Sequence, residues 1–223
     1  MVTVSKAMRC YMNAVDKLVE KYHESVKLGI DFGSRGVLSL RSGNDIFTKR
    51  KVSYSNAQIQ NDDIVRITKG DLGSADPRSL SHMFIFETFP NVNAVVQLDA
   101  RWCSIWASQP NELPPLSSLH ADNFFGPIRV TSEICGRTSL YSEIGSKIIE
   151  LFQTRMMEHT PAVFVRNFGA ITWGESIEIA LERFLIIEEL CLRAWQVHEV
   201  VNGKFAYMPY KVRQTLFDNV ERR

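Results

Sequence analysis

The sequence predicts an α/β fold, a mixed or antiparallel sheet covered by helices, in a single domain over residues 1–223. Three observations predict it. Helices and strands alternate at both ends of the chain. The middle holds several short β-rich runs joined by turns too brief for crossover helices, which disfavours a doubly wound parallel sheet. The 223 residues, 45% apolar and 23% charged, suffice to bury one sizeable core.

Residues 4–25 carry Met8, Tyr11, Val15, Leu18, Val19 and Tyr22 on one buried stripe at helical spacing. Gly29, Gly33 and Gly36 end that pattern. Val37–Leu40, Asp45–Thr48 and Ile64–Ile67 read as strands, with turns at Asn61-Asp62-Asp63 and Lys69-Gly70-Asp71. A helix over 79–89 stops at Pro90, and Asn93–Leu98 is an apolar run of strand length. Residues 108–119, with Pro110, Pro114 and Pro115, form a loop, and Ile128–Val130 is a further candidate strand. Ser142 opens a helix through Ile144, Ile148, Leu151, Phe152 and Met156. Ala162–Val165 and Ala170–Trp173 are strands around a tight corner at Asn167 and Gly169. Ser176 caps a long helix over Ile177, Leu181, Phe184, Leu185, Glu188 and Trp195.

The net charge of +1, from 26 basic and 25 acidic residues, gives no electrostatic footprint for nucleic acid. No apolar run is long enough to span a bilayer, and the N-terminus reads as the start of a helix and not as a signal peptide. Cys10, Cys103, Cys135 and Cys191 lie far apart without a C-x-x-C pair. Free, buried thiols in a reducing, cytoplasmic compartment are expected. Cys103 and Cys135 have no base at a recognisable spacing for a cysteine nucleophile.

The segment Ser117–Glu133 contains His120-Ala121-Asp122 followed by Phe125-Gly126. Upstream stand Phe89-Pro90, Val95-Val96 and Ser104-Ile105-Trp106-Ala107, in a register that needs no gap from Ser81 to Gly126. Gly36-Val37-Leu38-Ser39, Val52-Ser53-Tyr54, Arg166-Asn167-Phe168-Gly169 and Thr172-Trp173-Gly174 complete the pattern. Over roughly residues 5–200 the chain resembles the class II aldolase and L-ribulose-5-phosphate 4-epimerase family, a pattern shared by the adducin head domain. The resemblance implies a three-layer α/β/α domain with a central, mainly antiparallel sheet. It also implies a fourfold ring with sites at subunit interfaces.

The chemistry that the resemblance implies rests on a zinc ion held by three histidines, which neutralises an enediolate as a Lewis acid. Two come from H-x-H at a strand end and one from an N-H-G corner. The matching positions here are Gln97, Asp99 and Phe168. An amide is a poor zinc ligand and a phenyl ring is none, so zinc is not expected, nor is another cofactor. The family's acid–base carboxylate falls on Arg78 in the gapless register or on Leu80 with a shift of two, and Asp76, the only nearby acid, needs a loop shift to reach that place. The phosphate-binding positions fall on Val37, Arg50-Lys51 and Asp76-Pro77. Arg35, Lys49, Arg50 and Lys51 are the candidates for holding an anion by charge, with Ser34 as a further binding position and a solvated basic loop as the alternative.

Asp122 matches an aspartate that reaches a neighbour's site as proton donor or acceptor; capping a turn before Asn123 is the alternative. Gln97, His120 and Tyr210 are further binding candidates. The competing roles are a core or interface histidine for His120 and packing of the C-terminal tail for Tyr207 and Tyr210. His82 matches a family helix histidine and is expected to pack or hydrogen-bond there. The expectation is a degenerate, non-catalytic homologue: a binding or scaffold subunit, in a homotetramer or in a mixed ring with an active paralogue, with a small sugar phosphate as candidate ligand. The alternative is an active aldolase- or epimerase-like enzyme using a non-canonical site on a sugar phosphate or small carbonyl compound.

Overall fold

Among the described residues, six strands form one sheet in the order β3-β2-β1-β4-β6-β5, and every adjacent pair is antiparallel. They are β1 (Val37–Ser42), β2 (Asp45–Lys49), β3 (Ile64–Ile67), β4 (Ala94–Gln97), β5 (Ala162–Val165) and β6 (Gly169–Gly174). The helices are α1 (Lys6–Lys27), α2 (Ser79–Thr88), α3 (Arg101–Ala107), α4 (Ser118–Asn123), α5 (Leu140–Phe152), α6 (Ile177–Val200) and α7 (Tyr210–Glu221). The computed structural model describes residues 6–31, 35–51, 58–68, 72–136, 139–152, 160–200, 203 and 207–221.

Alternation along each strand divides the interior in two. Leu38, Leu40, Ala94, Val96, Ala162, Phe164 and Ala170 face a core shared with α1, α3 and α6. Val95, Val163, Val165, Ile171 and Trp173 face a second core shared with α2 and α5. This is the expected three-layer arrangement. On α1, Val15, Leu18 and Tyr22 are buried as their spacing predicts, but Tyr11, expected on the same stripe, is exposed near the start of the helix. The Tyr22 hydroxyl accepts the Leu38 N–H at 2.7 Å and donates to the Leu38 carbonyl at 3.4 Å, which pins the helix to β1.

Two glycines mark close approaches. A Cβ on Gly36 would lie 2.9 Å from the Gln97 carbonyl oxygen and 3.0 Å from Leu98 Cα. One on Gly145 of α5 would lie 2.5 Å from the Phe84 ring of α2. The β5–β6 corner turns on Asn167 at φ 64° and Gly169 at φ 100°. Ser176 Oγ accepts the Ile179 N–H at 3.3 Å, the cap expected for α6.

Several elements differ from expectation. Ile128–Val130 is not a strand; it forms isolated bridges, Leu113↔Ile128 antiparallel and Val130↔Phe164 parallel. The segment 108–119 is a loop only up to Ser117, whose side chain caps α4. The helices α3, α4 and α7 were not anticipated, and Cys135 is exposed where buried thiols are expected, unlike Cys103 and Cys191. The helix α5 begins at Leu140, two residues before Ser142. Met156, Gly33, Ser34, Val52-Ser53-Tyr54 and the Lys69-Gly70-Asp71 turn lie outside the described residues.

Candidate functional site

The end of β4 and the β5–β6 corner adjoin, bringing the three implied ligand positions to one end of the sheet. Gln97 pairs with Ile171, and a Cβ on Gly169 would lie 3.8 Å from the Leu98 carbonyl oxygen. Their chemistry does not fit zinc. Gln97 offers a buried amide oxygen. Asp99 is taken by Arg35, with Nη1–Oδ2 at 3.3 Å. Phe168 presents a ring that is 39% exposed. Among the described residues, no group of three or more histidine, cysteine, aspartate or glutamate side chains is placed to hold a metal ion.

The predicted acid–base candidates are bound to each other. Arg78 grips Asp76 in a fork, Nη2–Oδ2 at 2.7 Å and Nε–Oδ1 at 2.9 Å, and also donates to the Arg35 carbonyl. Burial alone would raise the Asp76 carboxyl, but the hydrogen bonds and charge of Arg78 outweigh it and hold it below the usual carboxylate range. Asp76 is therefore an ion-pair partner, and Arg78 a fixed cation at the start of α2.

The basic run divides. Arg50 and Lys51 are exposed, as a solvated loop would have them, but Lys49 is only 1% exposed. Its ammonium lies 5.4 Å from the centre of the Tyr22 ring. Burial and the Arg78 charge push its pKa down to about 8, against the opposing pull of Asp31 and Asp76. Asp31 is buried too; its Oδ1 accepts the Gly36 N–H at 2.7 Å. Burial raises its carboxyl, and the Gly36 bond and Lys49 charge oppose that rise.

Behind these charges a polar line crosses the sheet. Thr48 Oγ1 donates to the Leu38 carbonyl at 2.9 Å and lies 3.1 Å from Ser79 Oγ and 3.2 Å from Ser39 Oγ. Ser39 Oγ in turn lies 2.8 Å from His82 Nδ1. Burial lowers the His82 pKa to about 3, with the neighbouring Gln97 amide opposing, so the ring is neutral. His82 Nε2, Gln97 Oε1 and Asp31 Oδ2 are sealed from solvent and have no hydrogen-bond partner among the described residues. Asp31, Ser39, Thr48 and Ser79 were not anticipated. The available signal was polar residues interrupting otherwise apolar strands, and an acid within a glycine-rich break.

The remaining candidates sit on α4 and α7. Asp122 is half-buried inside α4, so it does not cap a turn; the cap there is Ser117. His120 is fully buried and bonds through Nε2 to the Gly126 carbonyl at 2.8 Å, closing the 120–126 loop. Burial pushes its pKa down to about 4, which the Gly126 bond opposes and the Arg213 charge assists. Tyr210, 59% exposed, donates to Gln214 Oε1 at 3.0 Å and meets Phe125 edge-on at 5.7 Å. Phe217 meets the same Phe125 ring at 5.5 Å, so α7 is docked on the α4 segment.

A family profile described as Class II Aldolase and Adducin N-terminal domain matches residues 16–195. The L-ribulose-5-phosphate 4-epimerase UlaF of Salmonella paratyphi B is 29% identical over 120 residues, 52% of this chain and 52% of that protein. The chain thus spans about half the length of the curated relatives it matches. Among solved structures, an L-fuculose 1-phosphate aldolase superposes with a TM-score of 0.75 at 15% identity, covering 94% of this chain and 96% of that one. An aldolase II superfamily protein from Pseudomonas syringae gives 0.75 at 16% identity, covering 98% and 90%. Likeness at such identities establishes the fold alone.

Proposed function

The chain belongs to the class II aldolase and adducin N-terminal domain family, and from that premise we propose that it is a non-catalytic member, a binding or scaffold subunit. The observation that carries this reading is the fate of the reactive positions. An amide, an arginine-paired carboxylate and a phenyl ring stand at the implied ligand positions. The implied acid–base position is a guanidinium locked to Asp76. A zinc ion would supply Lewis-acid stabilisation of an enediolate, and this donor set does not suit it. The nearby charges also compensate one another, Arg35 with Asp99 and Arg78 with Asp76.

The test joins elemental analysis of the purified native protein with assays on L-ribulose 5-phosphate and L-fuculose 1-phosphate, with and without added zinc or manganese. The reading expects no stoichiometric metal and no turnover. Turnover with added zinc or manganese overturns it. A retained ligand is tested by thermal shift with pentose and hexose phosphates, because a ligand at one hundred times its Kd stabilises the fold by about 2.7 kcal/mol. The proposed assembly, a homotetramer or a mixed ring with an active paralogue, is read from mass in solution. Asp122 would then be this chain's contribution to a neighbour's site.

One observation favours a second reading, an enzyme with a metal-free polar site. Asp31, His82 and Gln97 each keep a buried polar atom without a hydrogen-bond partner among the described residues. Loss of a measured activity in Gln97→Ala and His82→Phe, with the fold retained, distinguishes that case.

A further inference from the structure

A second concave site lies away from these residues, between α3 and the C-terminal half of α6. Its volume is about 510 Å³, within the range usual for small-molecule sites. Trp102, Trp106, Trp195 and Tyr207 line it, with Glu112 and His198. Three of the chain's four tryptophans thus meet in one cleft. The fourth, Trp173, is buried in the opposite core against Phe152.

The rings form one wall. Trp102 and Trp106 are four residues apart on α3 and share a face. Trp102 and Trp195 lie 5.4 Å apart, tilted by 34°. The Trp106 Nε1–H donates to the Asn111 carbonyl at 3.1 Å, so its polar edge is engaged and the ring surface is what remains for a ligand. Trp195 is 46% exposed and Tyr207 65% exposed, a large aromatic area left in water.

The charges select the occupant. Among the described lining residues, Glu112 is the carboxylate and there is no lysine or arginine. A second carboxylate, Glu188, stands behind the wall and accepts the N–H groups of Trp102 and Cys103 at 2.9 and 2.8 Å. His198 faces Glu199 at 3.5 Å. Negative ring faces beside carboxylates attract a cation and repel phosphate or carboxylate. The cation must also lose its water readily, because most of the wall is aromatic ring, with Glu112 the carboxylate beside it. We propose that this cleft binds a quaternary or trimethylated ammonium group against its indole faces.

The test titrates the whole chain with tetramethylammonium and choline, followed by intrinsic fluorescence and calorimetry. Saturable binding with a change in tryptophan emission is expected. The neutral isostere 3,3-dimethylbutan-1-ol has the same shape without the charge and is expected to bind about tenfold more weakly. Trp195→Leu should weaken choline binding about tenfold, and Glu112→Gln about threefold at unchanged melting temperature because the Glu112 side chain is exposed. Should Trp195→Leu fail to fold, the isostere comparison and Glu112→Gln still decide. A trimethyllysine peptide that binds tighter than choline identifies the source as a modified protein side chain; the reverse order identifies a free compound. Equal binding of isostere and choline, or no saturation by any ammonium compound, overturns the proposal.

Discussion

Replacing Lys49 by methionine tests whether the buried amine burdens the fold. Its pKa falls from 10.5 to about 8 in the folded chain. The sign follows from linkage: between pH 8 and 10.5 the unfolded chain holds a proton at this position that the folded chain has released. Stability against unfolding therefore rises with pH across that window. At about 1.4 kcal/mol per pH unit the full gain is about 3 kcal/mol. Below pH 8 the ammonium is charged in both states and the gain is absent. Urea denaturation of wild type and Lys49→Met at several values from pH 7 to 10.5 isolates this residue, because other titrating groups cancel in the difference. The wild type is expected to gain about 3 kcal/mol relative to the variant over the window. The variant is also expected to be the more stable at pH 7, where it carries no buried charge. Parallel pH profiles for the two proteins would refute the placement of the amine inside the sheet.

Three further outcomes are expected. The triple variant Gln97→His, Asp99→His, Phe168→His should bind zinc stoichiometrically by elemental analysis while the wild type does not; failure to acquire metal would show that the strand end and the corner do not converge as described. Gly36→Ala should destabilise the fold by about 1–3 kcal/mol in urea denaturation, because its methyl group meets main-chain atoms of β4 and the residue beyond it. His120 has a folded pKa of about 4 against an ordinary 6.5, so its contribution is complete above pH 6.5 and declines by about 1.4 kcal/mol per pH unit on acidification. His120→Gln should flatten the profile between pH 6.5 and 4, read as urea midpoints relative to wild type.

All six described strands lie where apolar runs bounded by glycine, proline or asparagine predicted them, and α1, α2, α5 and α6 lie where helices were expected, with Tyr11 and Trp195 exposed on the stripes read for α1 and α6. What escaped the sequence has identifiable physical causes. The helix α3 has no side-chain cap of its own; its first N–H groups are satisfied by Glu188, more than eighty residues away on α6. The helix α4 has only six residues, and α7 gains its apolar contacts from Phe125 and not from a local stripe. Within the site, the exchange of ligand positions and the arginine at the acid–base position were readable residue by residue. The burial of Lys49 was not. Period-two alternation would expose every second residue of β2, yet Ile46 through Lys49 are all covered because both faces of that strand end are packed. The pairing of Arg78 with Asp76, two positions apart at a helix start, likewise needed the backbone geometry.

The hydroxyl line beneath the sheet carries a consequence for the imidazole at its end. Thr48 commits its proton to a main-chain carbonyl, so Ser39 has one proton to divide between Thr48 and His82 Nδ1. When it turns to Thr48, Nδ1 must hold hydrogen and Nε2 becomes a bare lone pair beside the Gln97 amide. When it turns to His82, Nε2 holds the hydrogen instead. The two arrangements share every heavy-atom position and differ in which ring nitrogen is protonated, so they present opposite hydrogen-bonding character at the far side of the ring.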